Sequence, residues 1–260
     1  MESFSFGRTL SRTFGLVRDG LPTVGVFMLI IQIVSTASSF VLQGQIAGEF
    51  QQQAAAGLVE PTAMFSSLWY WLTIIVGLVL GVIVYTGSIH GFLAVERKAP
   101  VSIGECFAFG FSTFLPGLGL LILWILGVGL GWILLIVPGL ILITMWSASL
   151  PALVAEGQGV IASFGRSRAL TKGYRWTIFG TLIVALIIIY IPMVLFGGAM
   201  LGASTTLLSG QALSPLFYLF SAAYGWVVGM FLNALLASIY LDCRLAKEGV
   251  TSGDLTDVFA

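Results

Sequence analysis

Residues 106–155 read CFAFGFSTFLPGLGLLILWILGVGLGWILLIVPGLILITMWSASLPALVA, fifty positions between Glu105 and Glu156 without one charged side chain. A helix crosses the hydrocarbon core of a bilayer in about 20 residues, so this run is too long for a single span. Val137-Pro138-Gly139 divides it, because proline lacks the N–H that would carry the first helix onward. The stretch is apolar on every face, without the alternation of a transmembrane β-strand. It reads as two membrane helices joined by a very short turn.

Working outward, the same criterion gives six spans, at about 22–44, 68–93, 115–135, 138–156, 176–200 and 214–240. Composition agrees. The chain is 58% hydrophobic and 8% charged, where a soluble domain is about 25% charged. So sparsely charged a surface aggregates in water, which excludes a soluble globular protein. Charge, proline and heptads are too few for disorder, collagen or coiled coil. Eleven Lys+Arg balance eleven Asp+Glu, leaving no electrostatic footprint for nucleic acid.

The cations fall in four clusters: Arg8, Arg12 and Arg18; Arg97 and Lys98; Arg166, Arg168, Lys172 and Arg175; Arg244 and Lys247. These occupy alternate extramembrane segments, and the segments between them hold none. The positive-inside rule therefore predicts both termini in the cytoplasm. The opposite side carries Glu49 and Glu60 in a Gln/Ala-rich loop, 44–65. The first apolar run begins near Leu21 and is longer than a signal-peptide core, so no cleavable signal is expected. Cys106 and Cys243 both fall on the cytoplasmic side, where a structural disulfide is not expected. No Cys/His spacing suggests a metal.

Internal comparison finds a threefold pattern. Ser5-Phe6-Gly7-Arg8 recurs as Ser163-Phe164-Gly165-Arg166, with a weaker copy at Ser102-Ile103-Gly104-Glu105. Each copy precedes a pair of spans, and the pairs end in the acids Glu96, Glu156 and Asp242. The expected fold is an all-α membrane domain of six transmembrane helices in three hairpins. A short interfacial amphipathic helix precedes each hairpin. The repeats run at about 4–98, 101–157 and 159–249, with a short tail at 250–260.

In the first interfacial helix Phe6, Leu10, Phe14 and Val17 form one stripe, with Arg8, Arg12, Arg18 and Asp19 on the opposite arc. That pattern predicts a helix in the headgroup plane with its apolar face down. Ile103, Phe107, Phe111 and Phe114 repeat the stripe. The third copy has Phe164, Arg168, Lys172 and Arg175 instead. Two readings stay open. Either this helix is rotated, burying Ile161, Ala162, Gly165 and Ala169 with its cations solvated, or Arg168 turns to the bundle and meets Glu156 or Asp242.

No catalytic constellation is present. His90 is the only histidine and has no nucleophile beside it. It reads as an interfacial residue, with proton relay the lesser alternative. Glu156 closes span four; a structural place in the cytoplasmic cap outweighs a transport role. No span carries a carboxylate at the midplane, where coupled transporters place ion sites. Gly127, Gly129 and Gly131 lie inside an apolar span, so they serve packing rather than nucleotides. Gly77/Gly81, Gly127/Gly131, Gly198/Gly202 and Gly225/Gly229 are small-xxx-small pairs, which suggest a tight bundle or an oligomer face. Trp69, Tyr70, Trp71, Tyr174 and Trp176 read as interfacial anchors.

Val137-Pro138-Gly139, Pro151 to Gly157, Arg166 to Gly173 and the closing Tyr240 to Gly249 occur in that order. Over about 135–250 the chain resembles the bacterial membrane proteins named after the glycerophosphoryl diester phosphodiesterase membrane domain. The first half is similar only in its Phe-rich, Arg-bearing start. The resemblance implies a six-helix inner-membrane protein and singles out Glu156, Arg166, Arg168, Asp242 and Arg244. Some members are fused to a soluble phosphodiesterase. The spans fill this chain, and the His and acidic metal ligands of that enzyme are lacking, so the family name implies no activity here.

The sequence therefore suggests a non-enzymatic membrane protein without cofactor or metal. Its basic rim, with Arg166, Arg168, Lys172 and Arg244 beside Glu156 and Asp242, would engage anionic lipid or a membrane-protein partner, a second copy included. The alternative is a passive transporter or lipid translocator. A cavity lined by Thr36, Thr86, Ser88, Thr144 and Ser147 would favour it, and a solid Gly-packed centre would favour the accessory role.

Overall fold

The computed structural model describes residues 4–57, 65, 67–195 and 215–249. Among the described residues every regular element is a helix. In chain order they are α1 (Phe6–Gly20), a π-helical turn (Leu21–Gly25), α2 (Val26–Ala55), α3 (Leu68–Glu96), α4 (Ile103–Ser112), α5 (Phe114–Leu134), α6 (Ile136–Trp146), α7 (Ser149–Glu156), α8 (Val160–Thr171), α9 (Arg175–Leu195) and α10 (Pro215–Glu248). Six helical segments are long and apolar enough to cross a membrane: Phe6–Ala55, Leu68–Glu96, Phe114–Leu134, Ile136–Glu156, Arg175–Val194 and Phe217–Glu248. The protein is thus a multi-pass membrane protein by length and composition of its helices.

Several boundaries differ from the sequence reading. α1 and α2 form one continuous segment, because the π turn absorbs Pro22 without breaking the helix. α2 runs on to Ala55 through the predicted loop, since Gln and Ala are good helix formers. The division inside the charge-free run falls at Leu135, which is extended at φ −169°. Pro138 lies inside the first turn of α6, where a missing N–H costs nothing. The fourth span is itself broken between α6 and α7, at Ser147–Ala148. α10 extends to Glu248, two turns beyond the expected end.

The chain divides into two compact units. The first takes in 4–28, 82–186 and 229–249, with Val24, Phe27, Ile89, Phe92, Leu235 and Tyr240 fully buried. Here α5 and α6 pack together, Gly131 lying against Gly139 and Gly127 against the Trp146 ring. α4 seats on α3 through Cys106, which fills the space beside Gly87 and Gly91. Ser102 and Glu105 make a reciprocal capping box at the start of α4. The second unit takes in 29–81 and 187–228. There Tyr218 donates to Gln43 at 2.9 Å and Tyr224 to the Ile189 carbonyl at 2.8 Å. Of the glycine pairs, Gly127/Gly131 is tightly packed and Gly77/Gly81 faces open space. Gly225 and Gly229 have Gln32 and Met28 beside them, and Gly198/Gly202 lies outside the described residues.

Candidate functional site

All of the following lies within the first unit. The three short helices α1, α4 and α8 bury the same register, counted from the serine of each tetrad. Thr9 and Thr13 are buried in α1, Cys106 and Gly110 in α4, Ser167 and Thr171 in α8. The face turned to the protein is therefore small and partly polar. The apolar stripe faces outward: Phe6 and Phe14 are 36% and 53% exposed, Phe111 is 62% exposed, and Leu10 is half-buried. Arg8 and Arg12, placed by periodicity on the outer arc, turn instead onto the buried Asp242. The two readings of α8 fare differently: Arg168 and Lys172 are exposed as the first had them, but the face that reading buried is exposed too. α8 is not rotated to bury Ile161, Ala162, Gly165 and Ala169, all of which are exposed. Arg168 does not meet an acid either; it is exposed, as is Lys172.

The first charge cluster centres on Asp242, whose side chain is fully buried in α10. Thr9 Oγ1 donates to its Oδ2 at 2.6 Å. Arg12 approaches Oδ1 at 3.1 Å and Arg8 at 3.3 Å. Arg12 also lies 3.5 Å from Glu96 at the end of α3. A carboxylate so buried persists only with such partners.

The second cluster centres on Glu156, at the end of α7. Arg166 Nε donates to both of its oxygens, at 2.8 and 2.9 Å, and Tyr240 donates at 2.9 Å. The other end of Arg166 reaches Glu248 at 2.5 Å, which Arg244 also holds at 3.0 Å. Tyr240, Arg244 and Glu248 follow at four-residue spacing, so one face of α10 supplies all three. Asp242 is set round the helix from them and looks to α1. Burial by itself lowers the Arg166 pKa, but its two carboxylate partners outweigh it and hold the guanidinium above its ordinary value. α7 and α10 end alike, with Gly157 and Gly249 at φ +62° and +69° after the glutamates.

α8 also repairs the broken fourth span. Ser167 Oγ donates to the Met145 carbonyl at 2.7 Å and accepts the Ala148 N–H at 3.2 Å. Thr171 adds a longer bond to the same carbonyl at 3.3 Å. A hydroxyl thus replaces the backbone ladder where α6 stops and α7 begins.

A cavity of about 280 Å³ lies among α3, α5, α6, α7, α9 and α10. Its walls are mainly leucine with Trp124 and Trp146, and Thr86, Ser147 and Ser149 are its small polar residues. Thr86 and Ser147 were two of the five polar residues expected at such a cavity; Thr36, Ser88 and Thr144 do not line it. His90 stacks on Phe109 with ring centroids 4.1 Å apart.

Of the six residues expected to share a charge cluster, Glu156, Arg166 and Arg244 come together; Asp242 belongs to the other cluster, and Arg168 and Lys172 to neither. Sequence reasoning missed Tyr240, Glu248 and Thr9. The four-residue spacing Tyr240-Arg244-Glu248 was the available signal for the first two. Among the described residues no group of three or more His, Cys, Asp or Glu could hold a metal. Compared with protein-family models, curated proteins and solved structures, the chain finds no match.

Proposed function

We propose that this is a non-enzymatic, membrane-organising or accessory protein of a bacterial inner membrane. Both termini lie in the cytoplasm, and the basic rim engages anionic lipid headgroups. The observation that carries the reading is a division of labour among the cations. Arg8, Arg12, Arg166 and Arg244 are spent on internal acids. Arg18, Arg97, Lys98, Arg168 and Lys172 are exposed. The exposed set is free to meet phosphate, each cation contributing about 1 kcal/mol near an anionic surface. Trp176, 86% exposed, supplies an interfacial anchor beside them.

The architecture we propose is three repeats, each an interfacial helix followed by a hairpin. The shared buried register of α1, α4 and α8 supports it. So does the use of the tetrad arginines, Arg8 on Asp242 and Arg166 on Glu156. The resemblance to the glycerophosphoryl diester phosphodiesterase membrane domain remains part of this proposal and supplies no activity.

The test is lipid selectivity in reconstituted vesicles, read by electron paramagnetic resonance of chain-labelled phosphatidylglycerol and phosphatidylcholine. The wild type should immobilise more phosphatidylglycerol. Replacing Arg18, Arg97, Lys98, Arg168 and Lys172 by Gln should remove most of the difference while the protein stays folded. Equal selectivity in the variant would sink the rim. The cavity favours the second reading, a passive lipid translocator, and transfer of labelled lipid between leaflets by the wild type would establish that reading instead.

A further inference from the structure

We infer that the cavity is a binding site for one acyl chain of an anionic phospholipid of the inner leaflet, with its phosphate held at the start of α9 by Arg175. The inference rests on the membrane placement proposed above, but not on the exposed rim.

Depth identifies the chain. Leu150, Leu182 and Leu235 line the cavity. They stand six or seven residues along their helices from Glu156, Arg175 and Asp242 respectively. At 1.5 Å per residue that is about 10 Å inward from the charged belt, within the roughly 15 Å of hydrocarbon that one leaflet provides. The cavity is therefore at the level of lipid tails.

Volume and lining identify how much of the lipid enters. Its 280 Å³ is about twice the roughly 150 Å³ apolar cavity that takes a benzene ring. That admits a chain segment, and the apolar lining, rather than the size, excludes a charged headgroup. Water gains few partners against leucine and tryptophan, and an empty space forfeits dispersion contacts on every wall. A neighbouring tail restores them at no cost in hydration.

The second, independent observation identifies the headgroup. Arg175 is part-buried, and its Nε, itself covered, has no hydrogen-bond partner among the described residues. Arg175 and Leu182 are seven apart, hence on one face of α9. The first-turn N–H groups of α9 have no intrahelical acceptors, and a helix start favours an anion. A phosphate at Arg175 and a tail beside Leu182 lie along one line of the helix.

The experiment is native mass spectrometry of the detergent-solubilised chain offered equimolar palmitoyl-oleoyl phosphatidylglycerol and phosphatidylcholine. The wild type should retain one phosphatidylglycerol in preference to phosphatidylcholine. Leu121→Trp, which fills the cavity, should reduce retention of both lipids at least tenfold. Arg175→Gln should keep a lipid but bring the two headgroups to parity. As a check without an enlarged side chain, one equivalent of phosphatidylglycerol with brominated acyl chains should quench wild-type tryptophan emission. That quenching should vanish when Trp124 and Trp146 are both Phe. Unchanged retention in Leu121→Trp, unchanged preference in Arg175→Gln, or quenching indifferent to Trp124 and Trp146 each overturns the proposal. Loss of rim selectivity with the retained lipid intact would strike the rim alone.

Discussion

Thr9 donates a 2.6 Å hydrogen bond to Asp242, two residues 233 positions apart, and so ties the first helix of the chain to the last. Arg8 and Arg12 close on the same carboxylate. The bond explains why an acid can sit fully buried near the end of a membrane helix: it is enclosed by a hydroxyl and two guanidinium groups, each from α1. Closure of this kind makes α1 part of the bundle rather than a float on its surface.

Asp242→Asn should therefore be strongly destabilising. Removing one partner of a buried ion pair costs about 3–5 kcal/mol, because the remaining charges stay desolvated. Arg8 and Arg12 keep some exposure, which places the expected loss at the lower end. Thermal unfolding in detergent measures it. An unchanged midpoint would mean that the two arginines find water as easily as they find Asp242.

Ser167→Ala should loosen the break in the fourth span. The substitution strips a donor from the Met145 carbonyl and an acceptor from the Ala148 N–H. Thr171 still reaches that carbonyl, so the expected cost is about 1–3 kcal/mol rather than more. Hydrogen exchange should rise at Ala148 and its neighbours while α10 stays protected. Uniformly unchanged exchange would mean that the break is not held by α8.

Glycines that look alike in sequence should behave differently. A side chain at Gly127 would land on the Trp146 ring, whereas Gly77 and Gly81 have open space. Gly127→Leu should lower stability by about 1–3 kcal/mol through overpacking, and Gly77→Ala should be neutral or slightly stabilising. Similar melting shifts in the two variants would refute the packing assignment.

Cys106 should be inert. Burial, helped by the nearby Glu105 charge, pushes its thiol up to about 11. Maleimide should leave it unmodified in the native protein at neutral pH and label it after unfolding. The same shift sets a sign for stability. The thiol is protonated in both states below about pH 9, so its contribution is intact there. As pH rises from about 9 to 11, the unfolded chain ionises first and stability falls. Rapid native labelling at neutral pH would contradict the burial.

The membrane fold was legible because apolar length decides it. Six spans could be counted, and Glu96, Glu156 and the tetrads marked their charged ends. From the sequence Phe6, Leu10 and Phe14 read as a membrane-facing stripe, and in the structure Phe6 and Phe14 are exposed and Leu10 half-buried. What was not legible is the rest of α1, where Thr9 and Thr13 are buried and Arg8 and Arg12 close on Asp242. In a membrane protein lipid is as good a neighbour for phenylalanine as a core, so a small hydroxyl face can turn inward instead. The same reversal hid Ser167 and Thr171, which pass for surface residues until the break at Ser147 gives their hydroxyls a task. Pro138 marked the division to within three residues, because a proline in the first turn stands just after a break rather than at it. The cavity had only Thr86 and Ser147 as clues, because its leucine walls are indistinguishable from any other packed face.

The most direct measurement is extraction of the native protein into lipid nanodiscs, followed by mass spectrometry of everything that accompanies it. The account predicts enrichment of anionic phospholipid over the bulk membrane, reduced to the single cavity-bound lipid when Arg18, Arg97, Lys98, Arg168 and Lys172 become Gln. Lipid of bulk composition around the wild type, with a stoichiometric protein on the basic face instead, would contradict it.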